Sequence, residues 1–267
     1  MSGGYELFTA TDAAELWARI DADAQRFFEL VRSVPPDLPL KGSTWTTREV
    51  VGHLLTVIRR YTRGPTLGET PRDVDRINDE ELAALGAAPC TELLDQLERE
   101  LKLARELYAP EALDLHMKVS FHGGVRIDFA AALGNVIGEL LIHGLDLAAA
   151  AGRPWSLDDR DAVLILNGVL QILPAYAVRD THRSLRVRLS VPGARPWLLD
   201  FHRGELTSAP AETGVASDVV VRAPASTLAL TLYSRLSTTR AVRGGMRVVG
   251  GRRPWRLARL PALVERP

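Results

Sequence analysis

Cysteine is almost absent from this chain: one residue, Cys90, in 267. An intrachain disulfide and a cysteine-ligated zinc knuckle are therefore excluded. Cys90 falls near a predicted helix start, where a small residue serves as well as a thiol. Lysine is scarce too. Only Lys41, Lys102 and Lys118 occur, and arginine supplies the other basic residues, a bias expected of a GC-rich genome. Net charge is absent as well, since 33 basic residues balance 33 acidic ones. A neutral chain offers no electrostatic reason to expect a nucleic-acid partner. No stretch approaches about 18 uncharged apolar residues, and the first residues lack a signal-peptide pattern, so the expectation is a cytoplasmic protein with no membrane partner. There is no internal repeat and no low-complexity segment.

What is present is an ordinary globular composition, 46% hydrophobic and 25% charged, in a length that suits two modest domains or one large one. The stretch that carries chemistry is Gly138–Leu147, GELLIHGLDL. As a helix it sets Glu139 and His143 four residues apart on one face. The apolar stripe runs through Ala132, Val136, Leu140, His143 and Leu147, with Glu139 at its edge. A carboxylate and an imidazole on a core-facing stripe are costly to bury unpaired, so either they bond each other or they hold a metal. A third ligand is available in Trp45–Leu55, WTTREVVGHLL. Thr46 and Glu49 have capping-box spacing, which starts a helix at Thr46 and puts His53 on the stripe Val50, His53, Leu54, Val57. Two histidines and one carboxylate, with a position left open, form the ligand set of catalytic zinc and related divalent metals.

The rest of the chain divides by period. Thr11 is a predicted cap for a helix ended by Pro35-Pro36. The second helix runs to about Arg63. Residues 64–90 read as a long polar loop with one short helix at 79–85. Thr91 caps a helix to Tyr108, and 117–121 with 125–127, split by Gly123-Gly124, read as a small hairpin or an irregular excursion. Asp128 caps the Glu139–His143 helix, which ends near Ala151 with Gly152 as C-cap. A fifth helix begins near Ser156 and Asp159. From about residue 184 apolar residues alternate instead: Leu185–Val191, Trp197–Phe201 and Val219–Val221 read as strands. Helices are expected at 224–235 and 254–264, with a strand at 246–249. The expected fold class is α+β, a helical bundle over 1–153 followed by a smaller mixed α/β domain over 154–267.

The segment Trp45-Thr-Thr-Arg-Glu-Val-Val-Gly-His53, followed by Glu139-Leu-Leu-Ile-His143-Gly-Leu-Asp146-Leu, resembles the mycothiol-dependent maleylpyruvate isomerase family. That family belongs to the DinB-like metal-binding four-helix bundles. The resemblance implies that His53, Glu139 and His143 are the metal ligands, zinc first among candidates. It also implies a sterol-carrier-protein-like C-terminal domain and mycothiol, the small thiol of actinobacteria, as cosubstrate. In the family that second domain commonly carries a Gly-Arg pair; Arg235 is the matching residue here, preceded by Ser234 instead of glycine. Asn135, one turn before Glu139, either lines the pocket or bonds solvent or a backbone carbonyl. Asp146, one turn after His143, either orients that imidazole or joins an interhelix salt bridge. Trp45 reads as a packing residue at the helix entry. Arg235 and Asn135 are the candidate catalytic residues.

A divalent cation held by two neutral imidazoles and one carboxylate keeps a net positive charge and deprotonates an entering thiol. The implied chemistry is thiol transfer to, or cis–trans isomerisation of, a small electrophile, by a monomer or homodimer. The alternatives are a metal-dependent hydrolase and a non-enzymatic ligand-binding module with a residual metal site.

Overall fold

The computed structural model describes residues 7–70, 73–179 and 181–265. The chain forms two compact units. A helical unit comprises Asp12–Leu115 and Asn135–Leu157, and a sheet unit comprises the chain start up to Thr11, His116–Gly134 and the chain from Asp158 onward.

In the helical unit, α1 (Ala13–Arg32) is capped by Asp12, which accepts from the Glu15 amide; the predicted cap at Thr11 is displaced by one residue. Helix α2 (Thr47–Thr62) begins behind the predicted capping box, Glu49 accepting from the Thr46 amide at 2.6 Å. Helix α3 (Asp73–Ala84) starts six residues before the expected short helix at 79–85. Asp73 accepts from the Thr70 amide and hydroxyl at 2.8 and 2.9 Å, a side-chain anchor that shortens the polar loop. Helix α4 (Cys90–Leu107) has Pro89 at its N-cap, not Thr91, because proline holds the extended conformation needed there. Helix α5 (Phe129–Ala150) stops before Gly152, whose φ of +67° is a left-handed stop that glycine adopts freely.

The four long helices α1, α2, α4 and α5 make a four-helix bundle. The amphipathic stripes predict the core: Trp17, Phe27, Leu54, Leu55, Leu93, Leu97 and Leu140 are all buried. Trp17 keeps its indole N–H satisfied by donating to the Tyr108 carbonyl at 2.9 Å. Among the described residues α5 alone is long and apolar enough to cross a membrane. Of its most apolar window 78% is buried inside the protein, as the central helix of a bundle requires.

The sheet unit holds a hairpin, β1 (Lys118–Ser120) with β2 (Arg126–Asp128), then the first turns of α5. Asp128 ends β2 immediately before α5 and pairs with Lys118 at 3.0 Å. Helix α6 (Asp159–Ile172) is capped by Asp158. Strands β3 (Ser184–Ser190), β4 (Trp197–His202), β5 (Glu205–Pro210), β6 (Val219–Arg222) and β7 (Arg247–Gly250) form one sheet in the order β5-β4-β3-β6-β7. Only the β3–β6 pair is parallel. The alternation is real: Leu185, Val187 and Leu189, like Trp197, Leu199 and Phe201, are buried every second residue. Helices α7 (Ala225–Leu232) and α8 (Thr238–Arg243) link β6 to β7. The final segment, Pro254–Ala262, is a 3-10 helix with Pro261 inside it, where an α-helix was expected. Strand β5 and helix α8 carry no strong apolar period and escape a sequence reading.

Phe8 packs edge-on against Trp197 at 5.5 Å and donates its amide to Asn167 at 3.0 Å, so residues 7–11 join the sheet unit. Within that unit α5 and α6 touch backbone to backbone at Gly134. A methyl group there would sit 2.3 Å from the Leu164 carbonyl oxygen, an atom that cannot yield. Gly134→Ala is therefore expected to destabilise by about 1–3 kcal/mol despite alanine's better helix propensity. Denaturant unfolding checks this, and an unchanged or raised midpoint would contradict the close crossing.

Candidate metal centre

The α2 turn places Val50, His53, Leu54 and Val57 on one buried stripe. The α5 turn sets Glu139 and His143 one above the other, and the pair meets His53 inside the helical unit. Nε2 of His53 and Nε2 of His143 each lie 3.3 Å from the same oxygen, Oε2 of Glu139. Ligand atoms from all three side chains lie within 4.8 Å of one another. A tetrahedral metal with bonds of about 2.1 Å needs donor separations of about 3.4 Å, so the three groups fit such an ion.

The protonation states fit as well. Burial lowers the His53 pKa and outweighs the pull of Glu139, leaving a neutral imidazole at neutral pH. Burial pushes Glu139 up, but the hydrogen bonds from His143 and His53 outweigh it and hold the carboxyl well below the usual carboxylate range. A neutral imidazole and an ionised carboxylate are the forms a cation binds. Among the described residues the buried Nδ1 atoms of both histidines lack a hydrogen-bond partner. Asp146 Oδ2 stands 3.9 Å from Nδ1 of His143, an ion-pair distance that leaves the carboxylate one small adjustment from orienting the ring.

Trp45 has a role that the sequence reading assigned to packing alone. Its ring lies 4.8 Å from the His53 ring and 5.8 Å from that of His143, walling one side of the centre. Tyr61 was missed altogether. It stands two turns beyond His53 on α2, and its hydroxyl is hydrogen-bonded with the buried Asn135. Burial raises the Tyr61 phenol far above its ordinary value, so it stays protonated. The spacing of eight residues from His53 on the same stripe was the available signal. Asn135 thus faces the helical core beside Glu139, not solvent.

Arg235 belongs to the sheet unit, just beyond α7, and donates to the Tyr233 carbonyl at 2.8 Å. Ser234 before it has φ of +58°, the left-handed conformation that glycine adopts without strain. Cys90 opens α4 and lies on neither ligand helix.

Fold and site together define a class: a four-helix bundle whose second and last long helices bring together two histidines and one carboxylate, a group that could hold a metal ion. Residues 17–148 match the family model of the mycothiol maleylpyruvate isomerase N-terminal domain. The bundle belongs to that family. A crystal structure of the mycothiol-dependent maleylpyruvate isomerase is similar over 90% of this chain and 94% of that one, with TM-score 0.50 and 16% identity. A histidine-to-alanine mutant structure of such an isomerase aligns over 85% and 93%, with TM-score 0.48 and 15% identity. No curated protein matches the sequence.

Protein purified without chelator is expected to carry roughly one divalent ion per chain, and removing two of three ligands should abolish retention. Elemental analysis of the His53→Ala, His143→Ala double variant measures this. Metal content equal to that of the unaltered protein would refute the centre.

Proposed function

We propose that the protein is a metal-dependent enzyme that activates a low-molecular-weight thiol, mycothiol, for cis–trans isomerisation of, or transfer to, a small electrophile. The observation that carries this reading is the convergence of both imidazoles on one carboxylate oxygen at 3.3 Å, on helices that contain no cysteine. The family match and the likeness to a mycothiol-dependent isomerase support it.

A divalent cation, zinc in this proposal, supplies positive charge that lowers the pKa of a thiol beside it from about 8.5. His53, Glu139 and His143 would hold it, and the Trp45 ring lies against both imidazoles. The thiolate adds to a conjugated cis double bond, the former double bond rotates as a single bond, and elimination of the thiolate restores a trans double bond. In the transfer variant the carbon–sulfur bond persists and a leaving group departs with the electron pair. Tyr61 and Asn135 offer a protonated hydroxyl and an amide to a substrate oxygen. Arg235 is proposed to bind an anionic group of the substrate. The region through residue 153 is assigned the thiol chemistry, and 154–267 the substrate arginine. A cytoplasmic monomer or homodimer fits a reaction between two small soluble molecules.

Burial pushes the Cys90 thiol up, with Arg48 opposing weakly, so at neutral pH it is a poor nucleophile and the thiolate must come from solution. Cys90→Ser is expected to leave turnover of maleylpyruvate or a related electrophile intact. Glu139→Gln should lose metal and turnover together. Calorimetry with mycothiol should give at least about tenfold tighter binding to metal-loaded than to metal-free protein. Equal affinity in both, or full turnover without thiol, would instead favour hydrolysis or simple ligand binding.

A further inference from the structure

The neutral balance of the whole chain conceals a strongly one-sided segment. Between Val219 and Val264 there are nine arginines and no aspartate, glutamate, lysine or histidine. Five of the nine, Arg240, Arg243, Arg247, Arg252 and Arg253, lie within Thr238–Trp255, and all five are exposed. Arg240, Arg243, Arg252 and Arg253 have no carboxylate partner among the described residues. The stretch comprises α8, the open edge strand β7 and the turn that follows, all in the sheet unit.

Apolar side chains are exposed in the same stretch. Among the described residues, four of the eight exposed large hydrophobic side chains fall here: Val242 (47% exposed), Val248 (45%), Val249 (55%) and Trp255 (71%). Val248 pairs with the buried Val221 across β6–β7, yet it stays open because no strand follows β7. Scattered exposed valines need no explanation, but a cluster of them with a tryptophan among unpaired arginines does.

We propose that this edge of the sheet unit docks peripherally on an anionic lipid surface. Two kinds of side chain have to be used at once, and a lipid interface uses both. Guanidinium groups meet headgroup phosphates, while valines and the tryptophan sit at the boundary between headgroups and acyl chains. A second copy pairing through β7 would set Arg247 and its neighbours against their own equivalents, a like-charge arrangement that opposes association. A nucleic acid would engage the arginines but leave the valines exposed, and a single tryptophan is a poor stacking platform.

The test is co-sedimentation of the full chain with vesicles of phosphatidylcholine containing about one third phosphatidylglycerol, against phosphatidylcholine alone, at low and high salt. Binding is expected only with the anionic vesicles, weakened by salt. Arg252→Glu with Arg253→Glu should reduce it by at least about tenfold. Trp255→Ser should weaken it with metal content and thermal unfolding unchanged. Should the charge reversal disturb folding, Arg240→Gln with Arg243→Gln on α8 replaces it, and those neutralised arginines must also weaken sedimentation. No sedimentation of the unaltered protein, equal binding to neutral vesicles, or variants that bind as well as the original would overturn the proposal. So would duplex DNA that displaces the vesicles completely while Trp255→Ser binds vesicles normally.

Discussion

Burying the Glu139 carboxylate is the constraint on which the helical unit turns. The Glu139 side chain keeps 20% of its exposure, and an ionised carboxylate that has lost most of its water is costly without hydrogen-bonding partners. Two imidazoles supply them, one from the same helix and one from α2. The arrangement fixes the rotation of α2 and α5 about their axes, because turning either helix would strand a polar group among leucines. Around that fixed point the remaining requirements are apolar and less demanding. The stripe residues on either side need only fill volume.

In the proposed chemistry the same grouping has a second use. A carboxylate flanked by two imidazoles offers three donors to a cation, and a cation held there would retain positive charge to act on a ligand. Trp45 adds a hydrophobic wall against both rings, and Tyr61 with Asn135 adds uncharged hydrogen-bonding groups nearby. Ionised, neutral and apolar groups thus sit in separate places. That separation suits bringing together a charged nucleophile and an uncharged electrophilic carbon. The sheet unit is built differently, by strand alternation and one parallel crossover, and it carries nine arginines with no acidic residue between Val219 and Val264.

Much of this was legible in the chain. Each ligand sits on a helix whose stripe and cap are local properties: the Thr46–Glu49 box, the four-residue step from Glu139 to His143, the glycine stop at 152. Strands β3, β4 and β6 announced themselves by alternation. Less legible were elements stabilised by single anchors or by neighbours. Asp73 reaching back to Thr70 extends α3 where the apolar pattern is weak, and β5 borrows its register from β4. The charge balance of the whole chain is an average, and it does not reveal the acid-free run of arginines between Val219 and Val264.

By itself the sequence determined which residues could be ligands and which helix face each occupies, because helical periodicity is local and needs no partner. Only the tertiary structure decided that Nε2 of His53 and of His143 meet at one oxygen of Glu139, with Trp45 against both rings and Tyr61 bonded to Asn135. It also decided that residues 7–11 belong with strands almost two hundred positions away, through Phe8 against Trp197. Those contacts join segments separated by long stretches of chain. Their geometry follows from how whole helices and strands pack, a property that no local pattern of residues carries.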